Sequence, residues 1–60
     1  MTKADIKRTE EFLDERYTIV CMSKNRVADD CYYKGATYAV FMMGYDWTRD
    51  KNGKHKLFKR

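Results

Sequence analysis

Few side chains in this 60-residue sequence can do chemistry, and their spacing sets most of them apart. His55 is the single histidine, and Cys21 and Cys31 are the two cysteines. A general base or nucleophile needs a partner that tunes its pKa and an orienting group within hydrogen-bond reach. His55 stands among lysines beside an Asp50–Gly53 turn, a pattern that predicts a solvated imidazole with no carboxylate to orient it. Glu10, Glu11, Asp14 and Glu15 fall within two helical turns and alternate with Lys7, Arg8 and Arg16, the pattern of a solvated helix face. The three glycines, at 35, 44 and 53, form no phosphate-cradling loop. With no CxxC or Cys/His spacing, a four-ligand zinc site would have to recruit carboxylates. No catalytic residue, metal or cofactor is expected.

The cysteines, ten positions apart, read as reduced, mostly buried thiols of a cytoplasmic protein. The charged start of the chain from Lys3 onward does not resemble a signal peptide. The longest apolar run, Tyr38 to Met43, is six residues, far short of a membrane span. Nine aromatic residues argue against disorder, and residues 1–60 are expected to form one small domain. A core of this size rarely supplies more than about 3–5 kcal/mol. Without a metal or disulfide, self-association as a homodimer is the expected extra source of stability.

Charge is distributed unevenly. The formal net charge is +4, but residues 1–48 carry a net of −1 and residues 49–60 a net of +5. The basicity belongs to Arg49, Lys51, Lys54, Lys56, Lys59 and Arg60, six cations able to meet phosphates or an acidic partner. Tyr45, Trp47 and Phe58 are interleaved with them and could stack on unpaired bases. The competing reading sends these rings to the core and leaves the lysines to blunt an exposed strand edge.

The elements that must position these groups follow from local patterns. Thr2-Lys3-Ala4-Asp5 fits a capping box, and Ile6, Leu13, Tyr17 and Val20 line one arc of a helix, with Phe12 and Ile19 on a second, smaller line. The β-branched run Thr18-Ile19-Val20 sets a helix over about 3–22 against a helix to 16 and a short strand at 17–22, which would make a three-stranded antiparallel sheet. The helix is the preferred reading. Ser23-Lys24-Asn25 breaks the chain before a second helix over about 26–43, stopped by Gly44. Its broad apolar half holds Val27, Ala28, Cys31, Tyr32, Gly35, Ala36, Tyr38, Ala39, Met42 and Met43, and this half is expected to be core, with Gly35 against helix 1. A β-hairpin at about 45–49 and 54–58 follows. A two-residue Asn52-Gly53 turn would face Arg49 with Lys56, whereas a bulged turn would face Asp50 with Lys54 and Trp47 with Leu57. The bulged register is preferred. The fold class is α+β, two antiparallel helices and a C-terminal hairpin.

Tyr33, Thr37, Val40 and Phe41 fall outside the apolar half and are expected to form an exposed protein-binding patch. The function class expected from these features is a small non-catalytic interaction module, an adaptor or inhibitor acting on another protein or a ribonucleoprotein, with no membrane association. The alternative is a nucleic-acid-binding module that uses the basic hairpin. In composition the chain looks like small accessory proteins of bacteria and their phages, a population that includes anti-defence proteins, though no family motif stands behind the likeness.

Overall fold

The computed structural model describes residues 2–60. Helix α1 spans Lys3–Met22, α2 spans Arg26–Met42, and strands β1 (Tyr45–Arg49) and β2 (His55–Lys59) pair antiparallel. The two helices lie against each other, with β2 beside α1 and β1 beside α2. The hairpin thus forms a second layer on one side of the helix pair.

Each element begins where local chemistry starts it. The Asp5 N–H donates to Thr2 Oγ1 at 3.1 Å and the Thr2 N–H to Asp5 Oδ2 at 3.3 Å, completing the capping box. These bonds hold the Asp5 carboxyl below its ordinary pKa. The β-branched run stays helical, so α1 continues to Met22 and no third strand forms among the described residues. Within that run Thr18 donates its hydroxyl to the Asp14 carbonyl at 2.9 Å, one turn back. Between the helices, Ser23 Oγ accepts the Asn25 N–H at 2.9 Å and donates to the Asp29 carboxylate in the first turn of α2. Gly44, at φ +91, ends α2 and turns the chain into β1.

The hairpin adopts the bulged register, with Trp47 facing Leu57 and the Asp50 N–H donating to the Lys54 carbonyl at 3.0 Å. Asp50 Oδ1 fastens the turn by accepting the Asn52 and Lys54 N–H groups at 2.8 and 2.9 Å. Gly53 sits at φ +82, and a Cβ there would lie 3.1 Å from Tyr17 Cδ2. Gly53→Ala therefore forces both a left-handed backbone, about 1–2 kcal/mol for an L-residue, and a shift of the Tyr17 ring. Urea unfolding should show a loss of about 1–3 kcal/mol, and an unchanged midpoint would refute this account of the turn.

The core lies where three elements meet: Leu13 from α1, Val40 from α2 and Leu57 from β2. Ile6, Ala36, Tyr45 and Trp47 close around them. On α2 the inward stripe is Tyr33, Thr37 and Val40, all buried, and not the broad apolar half expected from the helical wheel. Val27, Tyr32, Tyr38, Met42 and Met43 of that half are exposed, and nothing lies within 4 Å of where a Gly35 Cβ would be. The reason is volume. Ala28, Gly35 and Ala39 are too short to fill the space under the hairpin, whereas a tyrosine and two branched side chains at i, i+4 and i+7 reach across it. Both cysteines are exposed as well, contrary to the expected buried thiols, since Cys31 shares the uncovered face.

Candidate functional site

The structure corrects the expectation for His55 first. Its side chain is 0% exposed, and it has the orienting carboxylate that the sequence did not reveal. Asp14, on α1, points one oxygen at the hairpin. Oδ1 accepts both the His55 backbone N–H at 2.6 Å and ring Nδ1 at 2.8 Å. A carboxylate oxygen only accepts, so Nδ1 carries the proton and, in the neutral ring, Nε2 is the acceptor. The Tyr33 hydroxyl, 2.7 Å from Nε2, then donates to it. Arg49 Nη1 in turn donates to the Tyr33 oxygen at 3.2 Å. The result is a one-way chain of donors from Arg49 through Tyr33 and His55 to Asp14, linking both strands to both helices.

Three rings wall this chain. Tyr17, Tyr33 and Trp47 surround the imidazole at centroid distances of 6.0, 5.7 and 5.4 Å. The Arg49 guanidinium lies 4.1 Å from the centre of the Tyr17 ring, a cation–π contact that closes the outer end. Hydroxyl, imidazole and carboxylate stand in the order of an acid–base triad. Access and pKa oppose that use. The imidazole has no exposed surface, and burial pushes the Tyr33 phenol above its ordinary value, outweighing the opposing Arg49 hydrogen bond. The arrangement ties both helices and both strands together.

A second carboxylate extends the same device. Glu10 Oε2 accepts the Leu57 N–H at 2.7 Å. His55 and Leu57 direct their N–H groups away from β1, toward the open edge of a two-stranded sheet. Carboxylates four apart on a helix recur about every 6 Å, and alternate N–H groups of a strand about every 6.8 Å. Glu10 and Asp14 therefore replace a missing third strand along β2. The acidic run expected to be a solvated face supplies two of its four members to the sheet edge.

Of the residues expected to form a protein-binding patch, Tyr33, Thr37 and Val40 lie under the hairpin, and Phe41 alone is exposed, at 44%. Phe41 stacks on Tyr38, with ring centroids 6.5 Å apart, and carries the Arg60 guanidinium 3.8 Å above its centre. Arg60 also donates to the Phe41 carbonyl at 2.7 Å. Two of the six C-terminal cations, Arg49 and Arg60, thus serve internal contacts. Lys51, Lys54, Lys56 and Lys59 remain exposed. Strand alternation turns Tyr45 and Trp47 inward and leaves only Phe58 of the three hairpin aromatics on the outer face, directly across from Asp46.

An uncovered apolar surface lies on the helix pair. Along α2 and its C-cap, Val27, Ala28, Cys31, Tyr32, Gly35, Tyr38, Ala39, Met42 and Met43 are all exposed, with Asp30 and Lys34 beside Val27 and Cys31. Phe12 of α1 joins Cys31, Tyr32, Gly35 and Ala36 around an open groove. Arg16 edges it, its guanidinium 4.5 Å from the Tyr32 ring centre. Among the described residues, no helix is long and apolar enough to cross a membrane. Comparison with family models, curated proteins and solved structures found no match to this chain.

Proposed function

We propose that this protein is a non-catalytic interaction module that binds protein through the uncovered face of α2. The observation that carries the reading is a helix with two apolar faces of which the fold covers one. Tyr38, at 64% exposure, and Val27, at 78%, belong to the face left open. On a small domain with few buried side chains, such a contiguous patch marks a contact surface. Aromatic and methionine side chains are also the types enriched where proteins meet. The groups best arranged for acid–base work, Tyr33, His55 and Asp14, are bonded to one another across the hairpin and helices, and the His55 side chain between the other two has no exposed surface.

Nucleic-acid binding through the hairpin is the second reading, supported by the exposed Lys51, Lys54, Lys56 and Lys59. It ranks below the first because one outward ring, Phe58, is a thin stacking platform, and Asp46 and Asp50 place negative charge among the lysines. Labelled single-stranded and duplex DNA and RNA, titrated at two salt concentrations, separate the two. The expected outcome is no salt-steep binding in the micromolar range. Micromolar affinity that falls steeply with salt, and disappears when Lys54, Lys56 and Lys59 are changed to glutamate, would put the hairpin reading in place of this one.

A further inference from the structure

We infer that the occupant of the uncovered α2 face is a second copy of this chain, docked antiparallel about a twofold axis that passes beside Gly35. The inference rests on the preceding proposal that this face binds protein, and it names the partner.

Self-complementarity supports it. An isologous contact requires the residue at i to meet the residue at j while j meets i. About Gly35, facing positions number i and 70 − i, and the sequence matches them: Tyr32 with Tyr38, Cys31 with Ala39, Ala28 with Met42, Val27 with Met43. The centre is small on both sides, and the open space over Gly35 admits the partner's backbone closely. Two tyrosines flank that centre at equal spacing, so each copy presents a ring on either side of the same gap.

Area and charge agree. A standard interface covers roughly 800 Å² per partner. That is about a sixth of the 4691 Å² surface of this chain. Val27, Tyr32, Tyr38, Met42 and Met43, each 56 to 78% exposed, together with Phe12, offer on the order of 600–700 Å² before the small residues between them are added. Lys34, on the flank, is paired with Asp30 at 3.0 Å, so it brings no bare charge toward its copy. An antiparallel approach sets Asp29, in the first turn of α2, toward the partner copy's α2 end, where a guanidinium lies over Phe41. A parallel approach would set acid against acid and arginine against arginine.

The test is solution mass together with a directed crosslink. Sedimentation equilibrium from micromolar to millimolar protein should give twice 7.2 kDa for the unaltered chain. Gly35→Glu projects into open space in a single chain, so its far-ultraviolet circular dichroism should be unchanged while its mass halves. A residue beside the axis meets itself, so Gly35→Cys, made with Cys21→Ser and Cys31→Ser, should form an interchain disulfide within minutes under mild oxidation. Lys51→Cys in the same background should not. A monomer throughout that range overturns the second copy and leaves the wider protein-binding reading to be judged by the nucleic-acid titration. A dimer that survives Gly35→Glu, or that crosslinks through Lys51→Cys and not Gly35→Cys, overturns the inference by placing the contact on another face.

Discussion

Asp14→Ala is expected to lower stability by about 2–4 kcal/mol, enough to leave a substantial fraction of the protein unfolded at room temperature. The substitution removes one oxygen that serves two donors, the His55 backbone N–H at 2.6 Å and the ring Nδ1 at 2.8 Å. Each donor left without a partner costs about 1–3 kcal/mol when buried. Asp14 itself is one-fifth exposed, so water can reach part of the gap and the sum falls below the two full penalties. The damage also spreads along the donor chain. Without a carboxylate at Nδ1 the imidazole can take the other tautomer, and the Tyr33 hydroxyl then loses its acceptor. Asp14→Asn keeps an acceptor oxygen and should cost less, about 1–2 kcal/mol. A double-mutant cycle with His55→Phe separates the two bonds, because the phenylalanine lacks the ring donor while the backbone N–H persists. Asp14→Ala should therefore be less costly in the His55→Phe background. If urea unfolding gives a loss below about 0.5 kcal/mol for Asp14→Ala alone, the buried chain does not hold the hairpin.

The second large effect is expected at Leu13, an apolar core side chain that is 0% exposed. Leu13→Ala should cost about 2–5 kcal/mol, combining lost burial with the cavity left behind. In a larger protein that cavity could partly collapse. Here Leu13 sits where α1, α2 and β2 converge, and the opposing Val40 and Leu57 are held by their own elements, so little can move in. A core that supplies about 3–5 kcal/mol cannot absorb such a loss, and the variant should be largely unfolded by circular dichroism at 25 °C. Dimerisation would show in the same experiment, since a folded state that binds its own copy gains stability with concentration. The melting temperature of Leu13→Ala should then rise as its concentration rises. A variant that melts within a few degrees of the unaltered chain would mean that the hairpin layer contributes little to the core.

The first of these predictions turns on Asp14 and His55, a pair that the sequence does not bring together. Their positions are 41 residues apart, so neither helical periodicity nor turn chemistry could pair them. A faint signal did exist. Glu10 and Asp14 share one helix face four residues apart, and His55 and Leu57 alternate along a strand, spacings that match in length once the hairpin is laid beside α1. Reading that match requires knowing which helix the hairpin covers.

The exposed apolar face of α2 is the opposite of the one the helical wheel leaves out, for a related reason. A helical wheel ranks faces by how many apolar residues they hold, and on α2 that ranking favours the half around Gly35. Burial in the folded chain follows reach and polar satisfaction instead. Tyr33 enters the core because its ring packs on Trp47 and its hydroxyl finds both Arg49 and His55. The half around Gly35, too small to fill the space beneath the hairpin, faces outward. If a second copy covers it, the wheel's ranking describes the assembled dimer.

By itself, the sequence determined what depends on neighbours along the chain. The Thr2–Asp5 capping box, the polar break at Ser23–Asn25, the Gly44 stop, the bulged Asp50–Gly53 turn and the pairing of Trp47 with Leu57 are all set within a few residues by backbone conformation and local hydrogen bonding. Only the tertiary structure decided which face of α2 turns inward, that His55 is buried against Asp14, and that Glu10 and Asp14 cap the edge of β2. Those outcomes depend on which volumes fit between layers and which donors find acceptors across them, and periodicity within one element carries neither.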